Sequence, residues 1–182
     1  MIDLTKLQNI VDSVTVNLSE NDVLDFLKIR KRWPYRYPWN QPSVEILSNN
    51  GNLQSNYIFD ADSYLNYSKW EEMYNLGYTS VISNILDLNE DLRILQKKLF
   101  YATGLNISAN FYFSQPGQQA SFDAHKHPYD VIVKQIYGES NWSINNNSFL
   151  LQSQKSCIVP KNSVHQVLDK NVKKLSLTIN IE

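Results

Sequence analysis

One cysteine, three histidines and no glycine-rich loop set the first bounds on this 182-residue chain. The lone thiol, Cys157, cannot close an internal disulfide, which fits a reducing compartment such as the cytoplasm. Surplus charge is also missing, since 17 Lys+Arg against 18 Asp+Glu leave a formal net charge of -1. A chain so balanced has no field to draw in nucleic acid or an anionic membrane surface. No apolar run approaches the roughly 20 residues of a membrane span. The N-terminal MIDLTKLQNIVDS lacks the charged-then-apolar order of a secretion signal. There is no phosphate loop of dinucleotide or P-loop type, no internal repeat and no linker. Residues 1–182 therefore read as one domain.

The chain has a composition suited to a packed core, 42% hydrophobic and 19% charged. Residues 1–104 read as a helical or mixed part. Ser19-Glu20-Asn21-Asp22 caps an amphipathic run, VLDFLKIRKRW, that stops at Pro34. A second helix is predicted from Asp62 to Asn75 with Gly77 closing it. A third runs from about Asn89 through Ala102, with Leu92, Leu95, Leu99 and Phe100 on one face and Gly104 as its stop. Residues 105–182 change period. ISANFYFS, DVIVKQIY, WSI, FLLQ, SCIVP, HQVLD and KKLSLTINI read as short strands separated by turns, Asn145-Asn146-Asn147 among them. Such a series suggests an antiparallel barrel or a double-sheet jelly roll with helices packed outside.

All three histidines fall within that β part, as His125-Lys126-His127 and His165. On a strand, a spacing of two turns both rings of the pair to one face. A third imidazole from a later strand then completes a facial set of nitrogen ligands for one metal. Imidazole suits Zn, Fe, Cu and Ni, and three of them leave positions open for substrate or dioxygen. The bland alternative is three ordinary polar or core histidines. Against it stand the β context, the Gly-containing loop before Phe122-Asp123-Ala124, and the tight turn Val159-Pro160-Lys161-Asn162-Ser163 before His165. Two other features carry less. Lys28, Arg30, Lys31, Arg32 and Arg36 interleave with Trp33, Tyr35, Tyr37 and Trp39, a mixture that binds single-stranded nucleic acid elsewhere. Here the cations end a helix, where its dipole favours them, so a lid, dimer contact or docking strip is the stronger reading. Cys157 sits in an apolar strand with no base nearby in sequence and reads as a small core residue.

From Asn75 to the C-terminus the chain resembles the JmjC-type cupin oxygenases, and within them the ribosomal-oxygenase branch that hydroxylates protein side chains. The likeness rests on several motifs in order. Gly77-Tyr78-Thr79 resembles the family's Gly-x-Thr strand, and Asn110-Phe111-Tyr112 its Asn-x-Tyr strand. Phe122 to His127 resembles the metal loop. Asp130 to Gly138 with Trp142 resembles the strand, glycine turn and tryptophan after it. Val159-Pro160 through His165-Gln166 resembles the second metal motif, and Leu175 to Ile179 the closing strand. The resemblance implies a mainly β, cupin/JmjC-like double-stranded β-helix with flanking N-terminal helices. It makes His125 and His165 ligands of Fe(II), and Asn110 and Tyr112 pocket residues, although Tyr112 also reads as a plain barrel aromatic.

Two departures qualify it. The family's second ligand is an aspartate, and His127 stands there instead, which leaves the site one unit more positive. Asp123 and Asp130 are the nearby carboxylates, suited to orienting a ligand from behind rather than binding metal. Relatives also place a lysine or arginine two residues past the glycine turn to pair with the distal carboxylate of 2-oxoglutarate. That position is Ser140, which offers no charge, and Lys134 on the preceding strand is the candidate substitute. Use of 2-oxoglutarate is therefore in doubt. An Fe(II) oxygenase, a three-histidine enzyme of Fe, Cu, Ni or Zn that needs no keto acid, and a non-catalytic metal- or ligand-binding cupin all stay open. No domain follows the closing strand here, which favours a peptide, amino-acid or small-molecule substrate over a ribosome. Exposed edge strands are compatible with a homodimer.

Overall fold

The computed structural model describes residues 2–30, 43–47, 53–62, 64–116, 122–168 and 172–181. Four helices come before or between the first strands. These are α1 (Leu4–Asp12), α2 (Glu20–Lys28), α3 (Tyr67–Asn75) and α4 (Glu90–Thr103). Ser19 and Asp22 form the reciprocal cap at the start of α2, as the spacing predicts. Asn89 caps α4, and Gly104 ends it with φ 71°, a left-handed position that costs glycine little. α1 has no counterpart in the sequence reading, although Asp3 caps it and Leu7 and Val11 supply a buried stripe. α3 begins at Tyr67 rather than Asp62, because Asn66 is its cap and residues 61–62 form a turn. Phe100 is 45% exposed, so the buried face of α4 is narrower than predicted. The basic-aromatic strip beyond Arg30 lies outside the described residues.

The described residues include ten strands. They are β1 (Val44–Leu47), β2 (Leu53–Gln54), β3 (Thr79–Ser83), β4 (Ser108–Ser114), β5 (Asp130–Tyr137), β6 (Ser140–Ile144), β7 (Asn147–Leu151), β8 (Ser156–Val159), β9 (His165–Val167) and β10 (Lys174–Ile181). Among the described residues, every pairing between them is antiparallel. β1 and β2 have no counterpart in the sequence reading. A seven-stranded sheet runs β2-β1-β3-β4-β10-β5-β8, and a three-stranded sheet runs β7-β6-β9. Asn145 and Asn146, with φ 49° and 67°, make the two-residue turn joining β6 to β7, where asparagine tolerates the left-handed region.

The large sheet has two unlike faces. Phe111, Phe113, Leu175, Leu177 and Ile179 point one way and join Leu7, Leu27, Trp70 and Leu95 of the helices in one apolar core. On the other face, Val131, Val133 and Val159 pack with Trp142 and Leu151 of the small sheet in a second core. The polar alternates of β4 and β10 lie between these layers. Tyr112, Ser114, Lys174, Ser176 and Thr178 line a cavity there and do not form a solvent-facing surface. At the end of β5, Gly138 has φ 71°, and a methyl group there would lie 2.9 Å from the Lys174 Cβ. Only glycine lets that turn pack so closely on the start of β10.

Candidate metal centre

The histidine pair is not on a strand. Residues 122–129 form an irregular loop, pinned by a single bridge in which His125 and His165 exchange backbone hydrogen bonds of 3.1 and 2.8 Å. A second tie comes from the turn before β9. The Asn162 N–H donates to the His127 carbonyl at 2.7 Å, and the Lys161 N–H donates to Asp130 Oδ1 at 2.8 Å. The loop bearing two imidazoles and the turn leading to the third are thus held by the same contacts.

Ring centroids are 4.3 Å apart for His125 and His165, 4.9 Å for His125 and His127, and 5.1 Å for His127 and His165. One ring nitrogen from each histidine lies within 4.8 Å of the others. Small side-chain rotations bring such a trio onto one ion bonded at about 2.0–2.1 Å. Among the described residues, no carboxylate or thiol joins the cluster.

The rings are also oriented for that task. His125 Nδ1 is 2.8 Å from the Asp123 carbonyl, and His165 Nδ1 is 3.0 Å from the Ser163 carbonyl. A carbonyl only accepts, so each Nδ1 carries the proton and each Nε2 lone pair is left for a metal. Tyr129 stacks on His127 at 5.1 Å and 8°, and Trp142 lies along His165 at 6.3 Å and 20°. Burial, aided by the two neighbouring imidazoles, holds His127 down to about 4, and burial lowers His165 as well. Both rings are therefore neutral, the form that binds metal, at neutral pH.

The trio opens into a cavity lined by residues of both sheets. Tyr112 lines it beside Phe122, with ring centroids 6.1 Å apart. Burial raises the Tyr112 hydroxyl to about 12, so it remains an O–H donor and no base at neutral pH. Asn110 lies two residues before Tyr112 on β4, opposite Thr178, but does not line the cavity. Ser140 does line it, yet its hydroxyl is already donated to Gln135 Oε1 at 2.9 Å. Asp123 is exposed and acts on His125 through its backbone carbonyl. Asp130 acts through the turn at Lys161. On β8, burial raises the Cys157 thiol to about 12, which leaves it no thiolate character for nucleophilic work.

Lys134 is a correction. It is fully buried on the helix-facing side of β5, where its ammonium donates to the Val11 carbonyl at 3.1 Å and the Gln154 carbonyl at 3.0 Å. It does not line the cavity. Counting parity back from Ser140 fails because a left-handed glycine turn intervenes and the β5–β10 register shifts at Leu175/Ser176. The residue that does bring a cation to the cavity, Lys174 on β10, was missed in the sequence. So were the cavity positions of Ser114, Ser176 and Thr178.

No family model and no curated protein matches the sequence. Solved structures do match the fold. The chain is similar to YcfD, a ribosomal oxygenase from Escherichia coli, with TM-score 0.62 and 13% identity over 92% of this chain and 44% of that one. A cupin 2 conserved barrel domain protein from Leptotrichia buccalis matches with TM-score 0.38 and 22% identity over 42% of this chain and 36% of its own. The DMSP lyase DddQ from Ruegeria pomeroyi matches with TM-score 0.38 and 16% identity over 42% of this chain and 38% of its own. The chain spans less than half the length of each of these proteins. The fold is a mainly β, cupin/JmjC-like one with flanking helices, as the resemblance implied. Among the described residues, no helix is long and apolar enough to cross a membrane.

Proposed function

We propose that this chain is a mononuclear, non-haem, metal-dependent oxygenase of the JmjC-like cupin type. Its metal is held by His125, His127 and His165, and its substrate is a peptide, an amino acid or a small natural product. The observation that carries the reading is the convergence of three imidazole nitrogens within 4.8 Å at the mouth of a cavity between two sheets. Two of those rings have their Nδ1 atoms committed to backbone carbonyls, an arrangement that serves a metal better than it serves a packed core. Iron(II) is the first candidate; copper, nickel and zinc suit the same donors.

A bound ion would supply Lewis acidity and, if redox-active, a route to dioxygen chemistry. The chain's own residues shape what happens around it. Phe122, Tyr129 and Trp142 surround the rings with aromatic surface and limit water. Tyr112 keeps its proton and can donate a hydrogen bond to a bound oxygen atom of the substrate.

The all-histidine set favours one rival reading, an enzyme that binds its substrate on the metal and needs no keto acid. One titration separates the two. Anaerobic addition of Fe(II) and then 2-oxoglutarate gives a weak visible charge-transfer band if the keto acid chelates the iron. Absence of that band, with no succinate formed in air, removes the keto-acid form. Metal analysis of protein purified without added metal tests the wider reading. Redox-active metal near one equivalent supports it, and a centre that takes up no redox-active metal even when supplied in excess overturns it in favour of a non-catalytic binding protein.

A further inference from the structure

We propose that the cavity binds its substrate by a neutral carbonyl oxygen, with the indole N–H of Trp142 and the hydroxyl of Thr79 as donors. The substrate class is then an amide or ester with a short aliphatic body, and an amine or free amino acid is rejected. This deepens the metal-centre reading and rests on it only for what happens to the molecule once it is bound.

Two buried donors in the cavity lack a partner. Trp142, on β6, is 8% exposed, Thr79, at the start of β3, is 2% exposed, and both line the cavity. Neither Trp142 Nε1 nor Thr79 Oγ1 has a hydrogen-bond partner among the described residues. A buried polar group left without a partner is a standing cost to the fold. An indole N–H can only donate, so what answers it must be an acceptor. The Trp142 ring lies along that of His165, 6.3 Å away at 20°, which puts one of the two donors beside the histidines. Other polar groups in the wall are already committed. Ser140 and Ser176 both donate to Gln135 Oε1 at 2.9 Å, and the Gln166 amide donates to the Phe122 carbonyl at 3.3 Å. Gln135 in turn donates to the Tyr137 and Leu175 carbonyls at 2.8 and 3.2 Å, so its oxygen stays toward the two serines. Lys174 is not free either.

Charge and shape decide the class of acceptor. Val131, Val133, Val159 and Val167 form the aliphatic part of the lining, and no Asp or Glu of the described residues joins it. An ammonium would lose its hydration there without gaining a counter-ion, and a carboxylate would exchange water for two neutral donors. A carbonyl oxygen loses far less on burial and has two lone pairs to offer. The valines suit the carbon chain behind it.

The test uses three probes of one carbon skeleton, 2-methylpropanamide, 2-methylpropanoate and 2-methylpropylammonium, on full-length protein labelled with nitrogen-15. The chain has four tryptophans. The indole N–H resonance of Trp142 is assigned through the contact of its ring with His165 and checked with Trp142→Phe. Titration with the amide should move that resonance downfield to saturation, and the ammonium should leave it in place. The amide should bind at least about 10-fold more tightly than either charged probe. Followed by the backbone resonances of the cavity strands, Trp142→Phe and Thr79→Val should each weaken amide binding roughly 2- to 10-fold, the loss of one neutral hydrogen bond.

An indole resonance that the amide leaves unmoved overturns the proposal, whatever the variants do. So does binding of the ammonium or the carboxylate as tight as that of the amide. Each titration is run on metal-free protein and again with Zn(II). Amide binding that depends on Trp142, in protein that takes up no redox-active metal, leaves this inference standing and removes the oxygenase reading. A loaded metal centre beside an unresponsive indole does the reverse.

Discussion

His127→Ala gives the most direct measure of whether the three imidazoles act as one ligand set. The ring is half-buried against Tyr129, so its removal leaves the core of the large sheet intact. A ligand that binds only the folded state at 100 times its Kd stabilises by about 2.7 kcal/mol. The unfolding entropy of a 182-residue chain, at about 2.1 cal/mol/K per residue, is roughly 0.38 kcal/mol/K. The melting temperature of wild-type protein should therefore rise by about 7 °C at that metal excess. Loss of one of three imidazoles that weakens binding about 100-fold leaves roughly 0.4 kcal/mol, or about 1 °C, at the same metal concentration. The assay is a thermal melt of chelator-treated protein with Co(II), Zn(II) or anaerobic Fe(II) added back. A shift of equal size in wild-type and His127→Ala protein would refute the shared site, because the metal would then be bound elsewhere.

Three further outcomes follow from neighbouring contacts. Asp130→Asn should lower metal affinity about 10-fold with little loss of stability, since the carboxylate grips only the turn that carries Asn162 to the His127 carbonyl; unchanged affinity in a metal titration counts against that coupling. Lys134→Met should lower the melting temperature by roughly 3–8 °C by leaving the Val11 and Gln154 carbonyls without their donor, while 2-oxoglutarate affinity stays as in wild type; a loss of affinity would return Lys134 to the site. Metal-free protein should lose stability as pH falls from about 6.5 toward 4, because an unfolded histidine takes up its proton near 6.5 whereas folded His127 resists until about 4. His165 adds to the same trend, its value being lowered by burial. Chemical denaturation across that window, repeated on His127→Ala, should show a flatter profile in the variant.

Scarcity made the histidine cluster legible. With three histidines in the chain, a spacing of two and a later partner left few alternatives, even though the strand assumed for the pair turned out to be a loop. The β part was legible for a related reason. Alternating runs such as that of β10 and paired asparagines between β6 and β7 are local signals that tertiary context did not override. α1 carried its own signals, Asp3 as cap and Leu7 and Val11 four apart, but one apolar stripe over nine residues is weak without the sheet it covers. The reading of Lys134 failed because strand parity does not survive a left-handed turn and a register shift.

The omission of Lys174 has a more general cause. In β10, Leu175, Leu177 and Ile179 alternate with Ser176, Thr178 and Asn180, a pattern that normally means one face on the core and one in water. Sequence period reports that a face is polar and not what the face meets. Here Lys174 and Ser176 are 4% and 6% exposed, and they line a cavity that residues of the three-stranded sheet and the histidine loop complete. Structure alone therefore turns an ordinary-looking strand residue into the cationic wall of a cavity that ends, on its other side, in three imidazoles.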